Sequence, residues 1–267
     1  MPARLAREVL ATGRPVHVVG IREFADATLY VGLPFQTVRL GAAGQMLAAF
    51  RAAGVRELVM LGRAGRPSLL SIFPDGWTAG AMARLGRAVL AGGDDTLLRG
   101  ITRILEGEGF TVRGVHQVRG GLTVPPGLLA GPPPDEAQMA DIARGTAVLH
   151  ALAPQDVGQA VVVQQGLVLA VEAIEGTDAM LARAATLRRE GPGGVMVKLP
   201  KAQQDDRLDL PTIGPTTIEG VVAAGLAGIA IAAHRSLIAE RETTLALAAA
   251  QGVFLLSLDT TQKDTPE

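Results

Sequence analysis

Four short segments of this sequence place acids, lysines and glycines where a phosphorylated ligand or a metal ion would need them. The first is Gly92-Gly93-Asp94-Asp95-Thr96. Its glycines give a turn and its aspartates open a helix, which reads either as a plain N-cap or as an anion or metal site with an acid beside helix amides. The second is Glu172-Ala173-Ile174-Glu175-Gly176-Thr177-Asp178, which leaves a strand and enters a helix. Three carboxylates in seven residues exceed what a cap requires. Amides at a helix start suit a phosphate, and carboxylates there suit a divalent cation. The third is Lys198-Leu199-Pro200-Lys201. The chain has three lysines, Lys198, Lys201 and Lys263, so two of them close together read either as solvated loop lysines or as an ammonium pair for a diphosphate. The fourth runs from Asp205 to Thr217 (DDRLDLPTIGPTT). Asp209 stands there between two leucines, where a desolvated carboxylate is costly unless it has a cation or a catalytic task. Asp205 and Asp206 read as solvated loop acids.

Composition removes several other chemistries. The chain has 267 residues and no cysteine, which excludes a disulfide scaffold, a thiolate metal site and a cysteine nucleophile. His17, His116, His150 and His234 show no HxH or HxxxH spacing, so a histidine zinc site is unsupported. His17 and His116 fall inside strand patterns and read as packed residues. Neither a GxSxG elbow nor a P-loop lysine motif occurs. A formal net charge of -1 gives no basic field for nucleic acid. The longest apolar stretch, Val221 to Ala233, is interrupted by Gly225 and Gly228 and is shorter than the ~20 residues a membrane helix needs. The first residues lack the pattern of a secretion signal. A hydrophobic share of 48% is ample for a core.

The elements that must carry these segments alternate in period. Pro15–Ile21, Glu57–Leu61 and Thr111–Val118 read as strands, and Leu5–Ala11, Gln45–Val55, Trp77–Ala91 and Asp94–Gly109 as helices. Alternation of this kind predicts an α/β fold with a parallel sheet. Five prolines between Leu122 and Pro134 predict a linker and hinge, dividing the chain into domains 1–121 and 135–267. Beyond it, Asp135–Leu152 reads as a helix, and Gln159–Val163 with Leu167–Ala173 as a hairpin around Gln164-Gln165-Gly166. A helix over Thr177–Glu190, capped by Thr177 or Asp178, precedes a strand at Gly194–Leu199. Helices over Pro215–Ala227 and Glu240–Gln251 alternate with strands at Ile229–Ala232 and Val253–Leu258.

Taken in order, GDDTLLRGITRILEGEGFTVRGVHQV, QMADIARGTAVLHAL, GLVLAVEAIEGTDAML and KLPKAQQDDRLDLPTIGPTTI resemble the LpxI family, the UDP-2,3-diacylglucosamine pyrophosphatases of the lipid A pathway. The resemblance covers about Val16 to Leu258, and the EGTDAM and DLPTIG blocks are specific in combination. It implies an N-terminal Rossmann-like domain and a C-terminal catalytic α/β domain. It implies Mg2+-dependent (or Mn2+-dependent) hydrolysis of UDP-2,3-diacylglucosamine to UMP and 2,3-diacylglucosamine 1-phosphate, lipid X. The family's essential acid falls at Asp209. Gly176, Thr177, Lys198, Lys201 and Thr212 match substrate and phosphate contacts. Asp209, Glu175 and Asp178 match metal ligands, and Asp94 and Asp95 match in type. The implied setting is cytoplasmic, peripheral on the inner membrane, with the lipid nucleotide as partner, no nucleic acid, and a homodimer left open.

The chain departs from that family in one place. Family members begin with a strand and a glycine-rich loop of the form IAGGGxLP, whereas Met1-Pro2-Ala3-Arg4-Leu5-Ala6 aligns with the end of that loop. The first sheet is then expected to lack an inner strand, and a start site assigned too far downstream is the favoured explanation. A non-catalytic nucleotide-sugar or lipid-binding protein is the rival reading, and a hydrolase of other UDP-sugars a third.

Overall fold

The computed structural model describes residues 2–62, 73–90, 94–120, 122–201 and 204–260, without the side chains of 87–90, 94 and 95. The chain divides into two compact units. One comprises Met1–Gly120 with Arg207–Asp209, the other Gly121–Asp206 with Leu210–Glu267.

The first unit mixes helices and strands as the periodicity predicts, with one further strand at Phe35–Val38. Its elements are α1 (Pro2–Ala11), β1 (Val18–Ile21), β2 (Phe35–Val38), α2 (Ala43–Ala52), β3 (Glu57–Leu58), α3 (Gly76–Leu90), α4 (Asp94–Gly107), β4 (Thr111–Val112) and α5 (Val115–Val118). Among the described residues the strands pair as two separate parallel couples, β1 with β2 and β3 with β4. The core gathers Leu47, Leu58, Leu105, Phe110 and Val112, and it takes in Leu208 from much later in the sequence. Phe50 meets Phe110 edge-on, with ring centroids 6.1 Å apart. The strand expected over Thr111–Val118 stops at Val112, and His116 lies in a helical turn. The Gln117 side chain turns back and accepts from the Gly114 amide at 2.9 Å, closing that turn in place of a ladder bond.

Three glutamates of this unit, Glu8, Glu57 and Glu108, are tied to arginines. Glu57 accepts from Arg113 at 2.9 Å and from Arg14 at 2.7 Å, Glu8 from Arg4 at 2.8 Å and Arg119 at 3.2 Å, and Glu108 from Arg51 at 2.7 Å. Bonds from Arg113, Arg4 and Arg51 respectively hold these three carboxyls below the ordinary glutamate value of 4.5. A lowered folded value means that the unfolded chain binds more protons, so this stability is present above the ordinary value and lost as pH falls through the folded ones. The pairs are exposed, so each contributes little. The first unit is expected to unfold at lower urea concentration on passing from neutral pH to about pH 3.5. A denaturation midpoint that does not move with pH in that range would contradict this.

The second unit is built on a six-stranded sheet in the order β5-β12-β10-β8-β6-β7. Its strands are β5 (Gly127–Ala130), β6 (Ala160–Gln164), β7 (Leu167–Val171), β8 (Val195–Lys198), β10 (Gly228–Ala232) and β12 (Phe254–Leu258). The central strands β8, β10 and β12 run parallel, and β5 and β6 pair antiparallel with their neighbours. Buried on both faces, they read as continuous apolar runs. Val162, Met196, Ile229, Ile231 and Leu255 face helices α7 (Gly176–Thr186), α8 (Pro215–Ala223) and α9 (Arg241–Ala250). Val161, Val163, Val195, Val197 and Ala230 face helix α6 (Glu136–Leu152) through Ile142 and Leu149. Each such side chain contributes about 1.5–3 kcal/mol of burial. Gly145 lets α6 lie close, since a Cβ there would stand 2.6 Å from the Val197 side chain. A short parallel pair, β9 (Thr212–Ile213) with β11 (Leu237–Ile238), completes the unit.

Local signals hold where they are strong. Asp135 caps α6 in a reciprocal pair with Gln138, at 2.8 and 2.9 Å. The hairpin forms, and its turn residues Gln165 and Gly166 take φ of 54° and 76°. The buried Asp141 carboxylate accepts from both of their amides, at 3.0 and 2.6 Å.

The linker expected over 122–134 is overturned. Val124 is fully buried, Thr123 bridges Leu237, and Gly127–Ala130 is the edge strand β5 on β12. The prolines flank β5 instead of interrupting it, so no ladder donor is lost. This segment belongs to the second unit.

Candidate functional site

The parallel strand β8 ends at Lys198, and the carboxyl ends of parallel strands are where open α/β sheets place ligands. The β6–β8 register sets Ala160 opposite Lys198, which brings Gln159 and the end of β7 to the same place. Glu172, Thr177 and Lys198 meet here, each less than a tenth exposed. The Lys198 ammonium donates to Thr177 Oγ1 at 2.6 Å. Thr177 donates to Glu172 Oε1 at 2.6 Å, and Glu172 Oε2 accepts from the Gln159 amide at 3.1 Å. Opposite charges joined through one hydroxyl offset the desolvation that burial imposes on each.

Gly158 makes this approach achievable. A Cβ at 158 would lie 2.0 Å from the Glu172 carbonyl oxygen, closer than any backbone can tolerate. Gly158→Ala is expected to cost about 1–3 kcal/mol, because the backbone at Glu172 must move. Urea denaturation measures it, and an unchanged midpoint would show that the approach is not needed.

The other expected residues have settings of their own. Lys201 is ion-paired with Asp156, whose own φ of 52° is left-handed. Gly176 opens α7 with a φ of 80°. Glu175, instead of Thr177 or Asp178, holds the N-cap position, since the helix begins at Gly176, and the Thr177 hydroxyl is engaged with Glu172. The Glu175 carboxylate accepts from Arg183 at 2.6 Å, and its own amide followed by that arginine holds its carboxyl below the usual range. Asp178 is exposed in the first turn of α7. Thr212 donates its hydroxyl to Leu210 O at 3.0 Å. Asp94 and Asp95 begin α4, but their side chains, like Gly92 and Gly93, lie outside the described residues.

Asp209 corrects one expectation. It is exposed, although Leu208 and Leu210 on either side are buried. In this segment the leucine side chains are buried and Asp209 is not, so flanking leucines do not desolvate the acid between them.

Among the described residues no three His, Asp or Glu side chains gather into a ready-made metal cage. Mg2+ does not demand one, since one or two carboxylates with substrate phosphate oxygens and water satisfy it. The exposed Asp209 carboxylate is a donor of the required hard-oxygen type, whereas Glu175 faces a guanidinium.

The sequence matches the LpxI N-terminal domain over residues 1–122 and the LpxI C-terminal domain over residues 125–256. The chain belongs to the LpxI family. A relative from Caulobacter vibrioides, the UDP-2,3-diacylglucosamine pyrophosphatase LpxI, is 41% identical over 267 residues, covering 97% of this chain and 94% of its own. Both LpxI domains are thus represented along the chain.

For this LpxI-family chain, motif reading found Thr177 and Lys198 but gave Glu172 no task of its own. Its only signal was membership of a run with too many carboxylates for a cap. Asp156 and Gln159 carry no sequence signal at all, since their partners are distant in the chain.

Proposed function

We propose that this chain hydrolyses the pyrophosphate bond of UDP-2,3-diacylglucosamine, releasing UMP and 2,3-diacylglucosamine 1-phosphate. The observation that carries the reading is 41% identity across nearly the whole chain to a relative named for that activity. Water adds to one phosphorus and gives up a proton to Asp209 or to solvent, the bridging P–O bond breaks, and the leaving phosphate departs with its charge. That charge must be offset as it develops. Lys198 and Lys201 are the cations we assign to the phosphates, with the Gly176-Thr177 start of α7 contributing amides. Asp209 would hold the divalent cation, or it orients the attacking water. Mg2+, when bound, draws charge from the phosphoryl oxygens.

Among the described residues no helix is long and apolar enough to cross a membrane. The diacyl substrate resides in a bilayer, so the reading places the protein in the cytoplasm and peripherally at the inner membrane surface.

UMP release from UDP-2,3-diacylglucosamine in mixed micelles tests the proposal. Turnover is expected with Mg2+, with loss in EDTA and recovery on adding Mg2+ or Mn2+. Turnover in EDTA at the full rate would remove the metal from the reading. Stoichiometric binding without UMP would make the protein a binding module instead, and equal turnover of unacylated UDP-sugars would broaden the substrate class.

A further inference from the structure

We infer that Glu172 is a positioning residue which, acting through the Thr177 hydroxyl, fixes the Lys198 ammonium at the carboxyl end of β8; its catalytic meaning rests on the function proposed above. The direction of the hydrogen bonds follows by elimination. An ammonium has donors and no acceptor, so at 2.6 Å the Thr177 oxygen must be the acceptor toward Lys198. The single hydroxyl proton is then left for Glu172, 2.6 Å away on the other side. Glu172 therefore sets the rotor of the hydroxyl and turns its lone pair to the lysine. The Gln159 amide, at 3.1 Å from the second carboxylate oxygen, holds Glu172 itself, and that amide is placed by the close passage of Gly158.

A lysine on a four-carbon stem does not hold one position by itself. A group meant to meet a developing phosphate charge must be fixed in advance. The relay provides that fixing from three different elements: the loop before β6, the end of β7 with the start of α7, and the end of β8.

Glutamine at 172 breaks the logic without changing the shape. Two donors, the Gln159 amide and the Thr177 hydroxyl, converge on the two oxygens of residue 172. A carboxylate accepts both, whereas an amide accepts one and opposes the other with its own N–H. If its NH2 group faces Thr177, the hydroxyl accepts from that group as well as from the ammonium, and its own proton loses the acceptor that aimed the lone pair at Lys198.

The experiment compares wild type, Glu172→Gln, Thr177→Val and Thr177→Ser by kinetics and by NMR. The chain has three lysines, so nitrogen-15 lysine labelling gives three side-chain signals, and Lys201→Arg with Lys263→Arg identifies that of Lys198. Glu172→Gln and Thr177→Val are expected to lower kcat about 10–100-fold with little change in KM. Thr177→Ser, which restores the hydroxyl, recovers most of it. The Lys198 ammonium signal should exchange slowly in wild type and Thr177→Ser and be lost to fast exchange in the other two. A wild-type kcat in folded Thr177→Val, or an unaltered Lys198 signal in Glu172→Gln, overturns the inference. Should Glu172→Gln fail to fold, the valine and serine pair decides it. A wild-type protein that releases no UMP overturns the pyrophosphatase reading instead, and the ammonium signal then decides the positioning alone.

Discussion

Asp209→Asn is expected to lower UMP release by about 10²–10⁴-fold, the loss of a group that holds a metal or activates water. The fold should hardly notice. Asp209 is exposed, and the residues that anchor its segment are its neighbours. Leu208 and Leu210 are buried, and Arg207 donates to Glu106 at 2.8 Å. Asparagine keeps the shape, so the stability change should lie within about 0.5 kcal/mol. Steady-state UMP release together with urea denaturation separates the two effects. A folded variant with wild-type kcat would remove Asp209 from the chemistry.

The residue next to it is expected to behave in the opposite way. Leu208 packs with Leu47, Leu58, Leu105, Phe110 and Val112 and belongs to the first unit, although its neighbours in sequence from Leu210 onward belong to the second. Leu208→Ala should therefore destabilise the first unit by about 2–5 kcal/mol, through lost burial and the cavity left behind. Trp77 reports on this directly. It is the single tryptophan of the chain and packs against the same cluster. Its fluorescence transition should move to lower urea while the second unit, followed by the amide exchange of β8 and β10, is unaffected. A transition shifted by less than 1 kcal/mol would mean that the segment is not part of that core. Adjacent positions with separable phenotypes, one chemical and one structural, are the sharpest consequence of this segment.

What the sequence determined by itself is local. Period-two and period-3.6 runs gave the α/β class and nearly every helix of the second unit. The start of the helix at Asp135 and the Gln-Gly turn were readable because each rests on residues close in sequence. The EGTDAM and DLPTIG blocks pointed to the family before any contact was known.

Tertiary structure decided the rest, for one physical reason: strand register and packing, which no local pattern encodes, set which distant side chains meet. The β6–β8 register brings Glu172 and Thr177 to Lys198, 21 residues beyond Thr177. Asp156 reaches Lys201 across 45 residues. Prolines signalled a linker, but the apolar Val124 and the edge of β12 drew that segment into a sheet, because burial and ladder bonds outweigh local propensity where prolines lie outside the ladder. Asp209 looked enclosed by leucines in one dimension. In three, both leucines are buried while Asp209 between them is exposed.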